Sequence, residues 1–286
     1  MPKRMLSLAT VLVAWSSSAQ VGSVNDETAP AAEVEAVPPS PCCAAGIVPA
    51  GHFEIETNYS GDAQGTSLDL VHGSNLILKY SLTDHFQLQL ATSNMLVWAN
   101  TLGGHAFDGV SLAGKYVLVD EGDVAPTVST SLHVSMPTRF DGEALQQTFD
   151  LSAWLYASKS FGKLVFDATL TFNAFDLAGT PAPRGGASLT ATWSFTDVWG
   201  VSTGPWGFYG DAERVPVDGG WWVSLNINPI PQIAFCAGVE AGFLPTSRAF
   251  GVFAGVAVVP TSIVKNALAQ NTPTGAPVAP TLVSVR

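Results

Sequence analysis

Residues able to do chemistry are sparse in this chain of 286, of which only 12% are charged, and they fall on one parity of alternating segments. Glu54 and Glu56 flank Ile55, Asp69 and Lys79 share a second segment, and Gln87 and Gln89 share a third. Lys115, His133, Asp150, Asp167 and Glu240 follow on later ones. Successive side chains of a β-strand point to opposite faces, so each of these sets lies on a single face. Together with Ser129, Ser131, Ser152, Thr169, Thr171, Ser188, Thr190 and Thr192 they make a wet row. Carboxylates in excess over lysines on such a row favour cations and let small uncharged molecules pass. If the lysines pair with the acids instead, the same charges only knit strands together. Nucleophilic chemistry has one arrangement, His133-Val134-Ser135, which sets an imidazole one pleat from a hydroxyl. Phosphate-cradling glycine loops and metal-ligand spacings do not occur, so neither a cofactor nor a metal is expected. Cys42, Cys43 and Cys236 give no disulfide framework, and the adjacent pair reads as an unpaired or locally bridged thiol pair.

Strands must position these residues. In NLILKYSLTDHFQLQLATSNM, from Asn75 to Met95, two runs of period two flank Thr83-Asp84-His85, the pattern of a hairpin. WLYASKSFGKLVFDATL, TATWSFTDVWGVSTG and VSLNINPIPQIAFCAGV repeat it. Read from His52, the pattern predicts about twelve strands joined alternately by short turns and longer loops, with Gly186–Phe195 among them. Mean hydropathy is +0.27, yet beyond the first residues no apolar run reaches the roughly 18 residues of a transmembrane helix. The expectation is an all-β, transmembrane, antiparallel up-and-down barrel of about 12 strands. About eight strands already give an interior that side chains just fill, so the apolar rows of twelve must face outward. Leu76, Leu78, Leu88, Leu112, Leu132, Leu155, Phe166, Leu225, Phe235 and Val252 are thereby assigned to lipid. Trp98, Phe149, Phe161, Phe175, Trp193, Trp199, Trp206, Trp221, Phe243 and Phe250 lie near predicted strand ends, where interfacial girdles sit.

Lys3 and Arg4, the apolar run from Met5 to Trp15, and Ser17-Ser18-Ala19 have the order of an export signal, with cleavage expected after Ala19. The expected organisation is a signal peptide over 1–19, a flexible Pro/Ala-rich periplasmic lead-in over 20–50, the barrel over 51–259 and an unstructured tail over 260–286. Such a chain belongs in the outer membrane of a Gram-negative bacterium. Its expected partners are outer-membrane lipid, the barrel assembly machinery and a small-molecule solute. A net charge of −11 argues against nucleic acid, whose phosphates need clustered Lys and Arg.

FEIETNYSGD, SNLILKYSLTDHFQLQLATS, FDGVSLAGKYVL with APTVSTSLHVSMPT, and GGWWVSLNINPIPQIAFCAGVEAGF resemble the outer-membrane transporter family associated with the meta-pathway of phenol degradation (MetA-like). The matching positions are Lys79 to Asp84 in the hairpin, Asp108 to Tyr116, and Met136-Pro137-Thr138. Gln87 stands where the family hairpin has an acid, and the chain does not end on an aromatic residue. The resemblance implies an outer-membrane channel for aromatic or other small hydrophobic compounds, and the scarcity of catalytic constellations leads to the expectation of no enzyme activity. A non-conducting barrel that anchors something at the surface is the alternative. The His-x-Ser pair also resembles outer-membrane phospholipases, whose pair faces lipid, whereas the parity here turns His133 to the lumen.

Overall fold

The computed structural model describes residue 36 and residues 44–64, 69–98, 104–140, 145–146, 149–175, 177, 182–210, 217–244, 247 and 249–260. The export signal, Cys42, Cys43 and the tail beyond residue 260 lie outside these residues. So do most of the lead-in and the side chains of Asp69 and Trp98.

The strands are β1 (Phe53–Gln64), β2 (Asp69–Thr83), β3 (Phe86–Trp98), β4 (Gly104–Val119), β5 (Thr127–Ser135), β6 (Arg139–Phe140), β7 (Leu145–Gln146), β8 (Asp150–Phe161), β9 (Leu164–Phe175), β10 (Ala182–Ser194), β11 (Trp199–Gly210), β12 (Asp218–Ile230), β13 (Ile233–Gly242) and β14 (Phe250–Val258). The short β6 and β7 pair within the β5–β8 connection, where a plain loop was expected, and β6 touches β4 through Phe107 and Phe140. The other twelve strands form a closed antiparallel barrel. β1 closes it by pairing with β14 from Ile55↔Val258 to Ala63↔Phe250, while its other edge pairs with β2. Closure matters because an open strand edge in hydrocarbon leaves backbone groups without hydrogen bonds.

The rows alternate as the pleat requires. On β12, Trp221, Val223 and Leu225 are exposed while Trp222, Ser224 and Asn226 are buried. Around the outside, Leu76, Leu88, Leu112, Leu132, Leu155, Phe166, Phe235 and Val252 are exposed as well. A polar inside and an apolar outside invert the soluble arrangement and suit a barrel solvated by lipid. Phe149, Phe161, Trp193, Trp199, Trp221, Phe243 and Phe250 are exposed near strand ends. Trp206 and Phe175 depart from the expected girdle. Trp206 is buried inside the barrel because it shares parity with Ser202 and Gly204, and Phe175 faces an interior chamber.

Tight turns occupy one end. Asp84-His85 joins β2 to β3, Gly162-Lys163 joins β8 to β9, and Pro231-Gln232 joins β12 to β13. Gly162 has φ +62°, a conformation that costs glycine no Cβ clash. The longer connections lie at the opposite end. β10 starts at Ala182 rather than Gly186: the prolines near residue 182 read as loop, yet Pro183 sits outward on the strand opposite Ala174. Arg184 therefore belongs to the wall.

Candidate functional site: the lumen

The short-turn half of the lumen is filled by polar contacts. Lys79 Nζ lies 2.8 Å from Glu54 Oε1 and 2.6 Å from Glu56 Oε1, with all three side chains wholly buried. The register explains this: Glu54 pairs with Lys79 across β1 and β2, and Glu56 is the next inward residue. On β3, Gln89 Nε2 donates to Gln87 Oε1 at 2.9 Å, and Gln87 Nε2 donates to Ser81 Oγ at 3.3 Å.

Residues 44–50 cross this half as a strap. Lys115 Nζ donates to Ala44 O at 2.6 Å and Gly46 O at 2.9 Å, and sits 4.4 Å from the Tyr156 ring centroid. Ala45 N donates to Ser158 Oγ at 2.7 Å, and that hydroxyl donates to Asp167 Oδ1 at 2.6 Å. Ala45 packs on Trp154 and Tyr156, while Val48 packs with Ala36, Ala234, Ala257 and Val259. Ala50 N then bonds Asp84 Oδ1 at 3.0 Å, at the β2–β3 turn. Ala36 is held by Pro231 O and by Asn228 Nδ2 at 3.1 Å. These residues were expected within a flexible lead-in. Small, apolar Ala45, Ile47 and Val48 instead bury themselves in a barrel too wide for its own side chains to fill.

Beyond the strap, toward the long loops, lies a small chamber bounded by β4, β5, β8, β9, β10 and β11. The register builds it in rows. His133 pairs with Ser152, Ser152 with Asn173, and Asn173 with Arg184, giving a hydrogen-bonding side chain on each of four neighbouring strands. Trp154 and Phe208 lie one pleat nearer the strap, and Ser135 and Asp150 one pleat farther from it. The Arg184 guanidinium carbon sits 4.2 Å from the Phe208 ring centroid, and the His133 and Trp154 rings lie 4.7 Å apart. Opposite, Trp206, Trp222, Cys236 and Phe253 pack into a buried cluster. Gly220 and Gly238 admit it, because a Cβ on either would collide with Trp206 or Phe253.

The structure turns Glu54, Glu56, Lys79, Gln87, Gln89, Lys115, Asp167 and Glu240 into the buried interior, and His133 and Asp150 line the chamber. Asp69 pairs with Gln64 near the long-loop end. These residues form two groups rather than one. Glu54, Glu56, Lys79, Lys115 and Asp167 belong to the strap half, His133 and Asp150 to the chamber. Trp154, Asn173, Arg184 and Phe208 were not singled out from sequence. Parity would have found three of them: Trp154 shares it with Asp150 and Ser152, Asn173 with Thr171, and Phe208 with Ser202. His133 Nε2 contacts Ser131 Oγ at 2.7 Å, and Ser131 also meets the Tyr156 hydroxyl at 2.7 Å. The hydrolase reading asked for Ser135 instead. Among the described residues no group of three or more His, Cys, Asp or Glu could hold a metal ion.

The chain superposes on the crystal structure of the COG4313 outer membrane channel from Pseudomonas putida F1 with a TM-score of 0.57. Identity is 14%, over 75% of this chain and 97% of that one. The NanC porin gives a TM-score of 0.50 at 9% identity, over 72% of this chain and 98% of that one. At such identities the likeness is one of fold: a closed antiparallel barrel of twelve strands. No protein-family model matches the chain, and a search of curated proteins finds no match.

Proposed function

We propose that this protein is a passive outer-membrane channel for small solutes, aromatic or hydrophobic ones among them. It would reach the outer membrane of a Gram-negative bacterium through the barrel assembly machinery after cleavage near Ala19. The observation that carries the reading is the chamber: a closed wall, apolar toward lipid, surrounds a small space lined by polar and aromatic side chains. Carboxylates outnumber cationic side chains along the described lumen, which supports a weak cation preference.

The strap favours a second reading, a non-conducting barrel that anchors something at the surface, because it occupies the short-turn mouth. Single-channel recording separates the two. A channel gives small discrete steps from the refolded full chain and severalfold larger ones when residues 20–50 are removed, with a reversal potential on the cation side in a KCl gradient. Silence from both proteins would leave the anchoring barrel as the function.

A further inference from the structure

We infer that residues 44–50 are an autoinhibitory plug, latched to the wall by Lys115 and Ser158, whose withdrawal joins the chamber to the short-turn mouth. The inference deepens the channel reading and rests on it for the current, though not for the movement itself. Three observations carry it.

First, the strap can leave without unpairing a strand. Among the described residues, no backbone-to-backbone hydrogen bond ties 44–48 to the sheet. The polar ties run to side chains instead: Lys115 Nζ donates to the carbonyls of Ala44 and Gly46, and Ser158 Oγ accepts from Ala45 N. Carbonyls buried outside a sheet need such donors, and hydrogen bonds from a charged group are the stronger kind. Without the ammonium, those two carbonyls are better satisfied by water outside the lumen.

Second, both anchors of the segment stand at one mouth. Gly51 N bonds Ser81 O and His52 N bonds Pro49 O, which fixes the downstream turn to β2. Upstream, Ala36 N bonds Pro231 O in the β12–β13 turn. Residues 44–48 can therefore withdraw toward the short turns while both anchors hold. Gly51 provides the pivot: its φ is +75°, and a Cβ there would meet nothing within 4 Å, so the backbone turns in open space.

Third, the strap and the chamber share a wall residue. Ala45 packs on Trp154 and Tyr156, and Trp154 also lines the chamber. The Tyr156 hydroxyl meets Ser131 Oγ, which meets His133, another lining residue. Seating Ala45 closes the chamber on its short-turn side, and withdrawing it uncovers Trp154 to that mouth.

The test pairs thiol labelling with current. The buried Ile47 is changed by Ile47→Cys in a chain that also carries Cys42→Ser and Cys43→Ser, and Cys236, buried in the aromatic cluster, serves as internal control. In detergent micelles a polar maleimide should modify the thiol of Ile47→Cys at least tenfold faster when Lys115→Met is added, with Cys236 unchanged and slow. Lys115→Arg, which keeps the charge, should keep labelling slow. In planar bilayers Lys115→Met should raise the conductance of the full chain at least threefold, to the level reached by removing residues 20–50, and should add nothing once those residues are gone. Should Lys115→Met fail to fold, which fast labelling of Cys236 would report, Ala45→Pro takes its place. It removes the N–H given to Ser158, leaves every wall residue intact and should speed labelling severalfold. Unchanged labelling of Ile47→Cys in the folded variants, or an equal rise in current with and without residues 20–50, would overturn the latch. Faster labelling with no current from any of the proteins would keep the latch and defeat the channel. Currents indifferent to Lys115, with slow labelling throughout, would do the reverse.

Discussion

The two halves of the lumen are built from similar wall positions to opposite ends. Toward the short turns, the charged and amide side chains engage one another or the strap: Lys79 bridges Glu54 and Glu56, Lys115 grips two strap carbonyls, and Ser158 links Ala45 to Asp167. Toward the long loops, His133, Ser152, Asn173 and Arg184 stand in one row along a small chamber. The difference teaches what fills a wide barrel. Twelve strands enclose more room than small side chains occupy, and this chain closes one half with backbone from outside the sheet and narrows the other with large aromatic side chains around a small chamber.

Three experiments can break or sharpen that contrast. The largest effect belongs to Lys79→Met, which strands two buried carboxylates. Removing one partner of a buried ion group costs about 3–5 kcal/mol. Reversible urea unfolding in detergent should show a loss of that size, and an unchanged midpoint would mean that the triad is open to water like the chamber. Next comes Leu225→Arg, which sends a cation into the lipid-facing band at about 2–4 kcal/mol if the residue lies near the bilayer midplane. The companion change Ser152→Arg points into the chamber and should cost far less. Equal costs from the same unfolding measurement would refute the parity on which both halves depend. The smallest effect is expected of Ser158→Ala, which removes the hydroxyl between strap and wall. A buried acceptor left without its partner costs about 1–3 kcal/mol. Hydrogen exchange should then speed up at Ala45 before it changes in the chamber wall, and uniform acceleration would show that the strap is not a separate unit.

Much of this was legible in the sequence, because strand parity is a strict rule. Alternation around Lys79 and Gln87 predicted both the hairpin and the inward face of those side chains, and the alternation of short and long connections predicted the closed up-and-down order. Three features escaped for physical reasons. Parity says that Lys79 points inward but not that both carboxylates reach it, since that depends on which residues stand opposite across two strands. Proline near residue 182 reads as loop, and an outward-facing strand proline hid Arg184 from the wall. An Ala, Gly and Pro segment such as 44–50 carries no periodicity, so nothing local distinguishes a free leader from one buried by a surface more than a hundred residues away.

That last contact has a bearing on how the molecule comes together. Val48 packs against Ala257 and Val259, at the end of the final strand, and Ala50 is bonded at the first tight turn. The earliest described part of the chain is thus gripped by its latest. Contacts between residues so far apart in sequence carry the full entropy of closing a long loop and form late. The strap and the closing seam therefore share the same end of the chain, so each supports the other, and a chain interrupted before Val258 would lose part of the seam together with the strap's apolar seat.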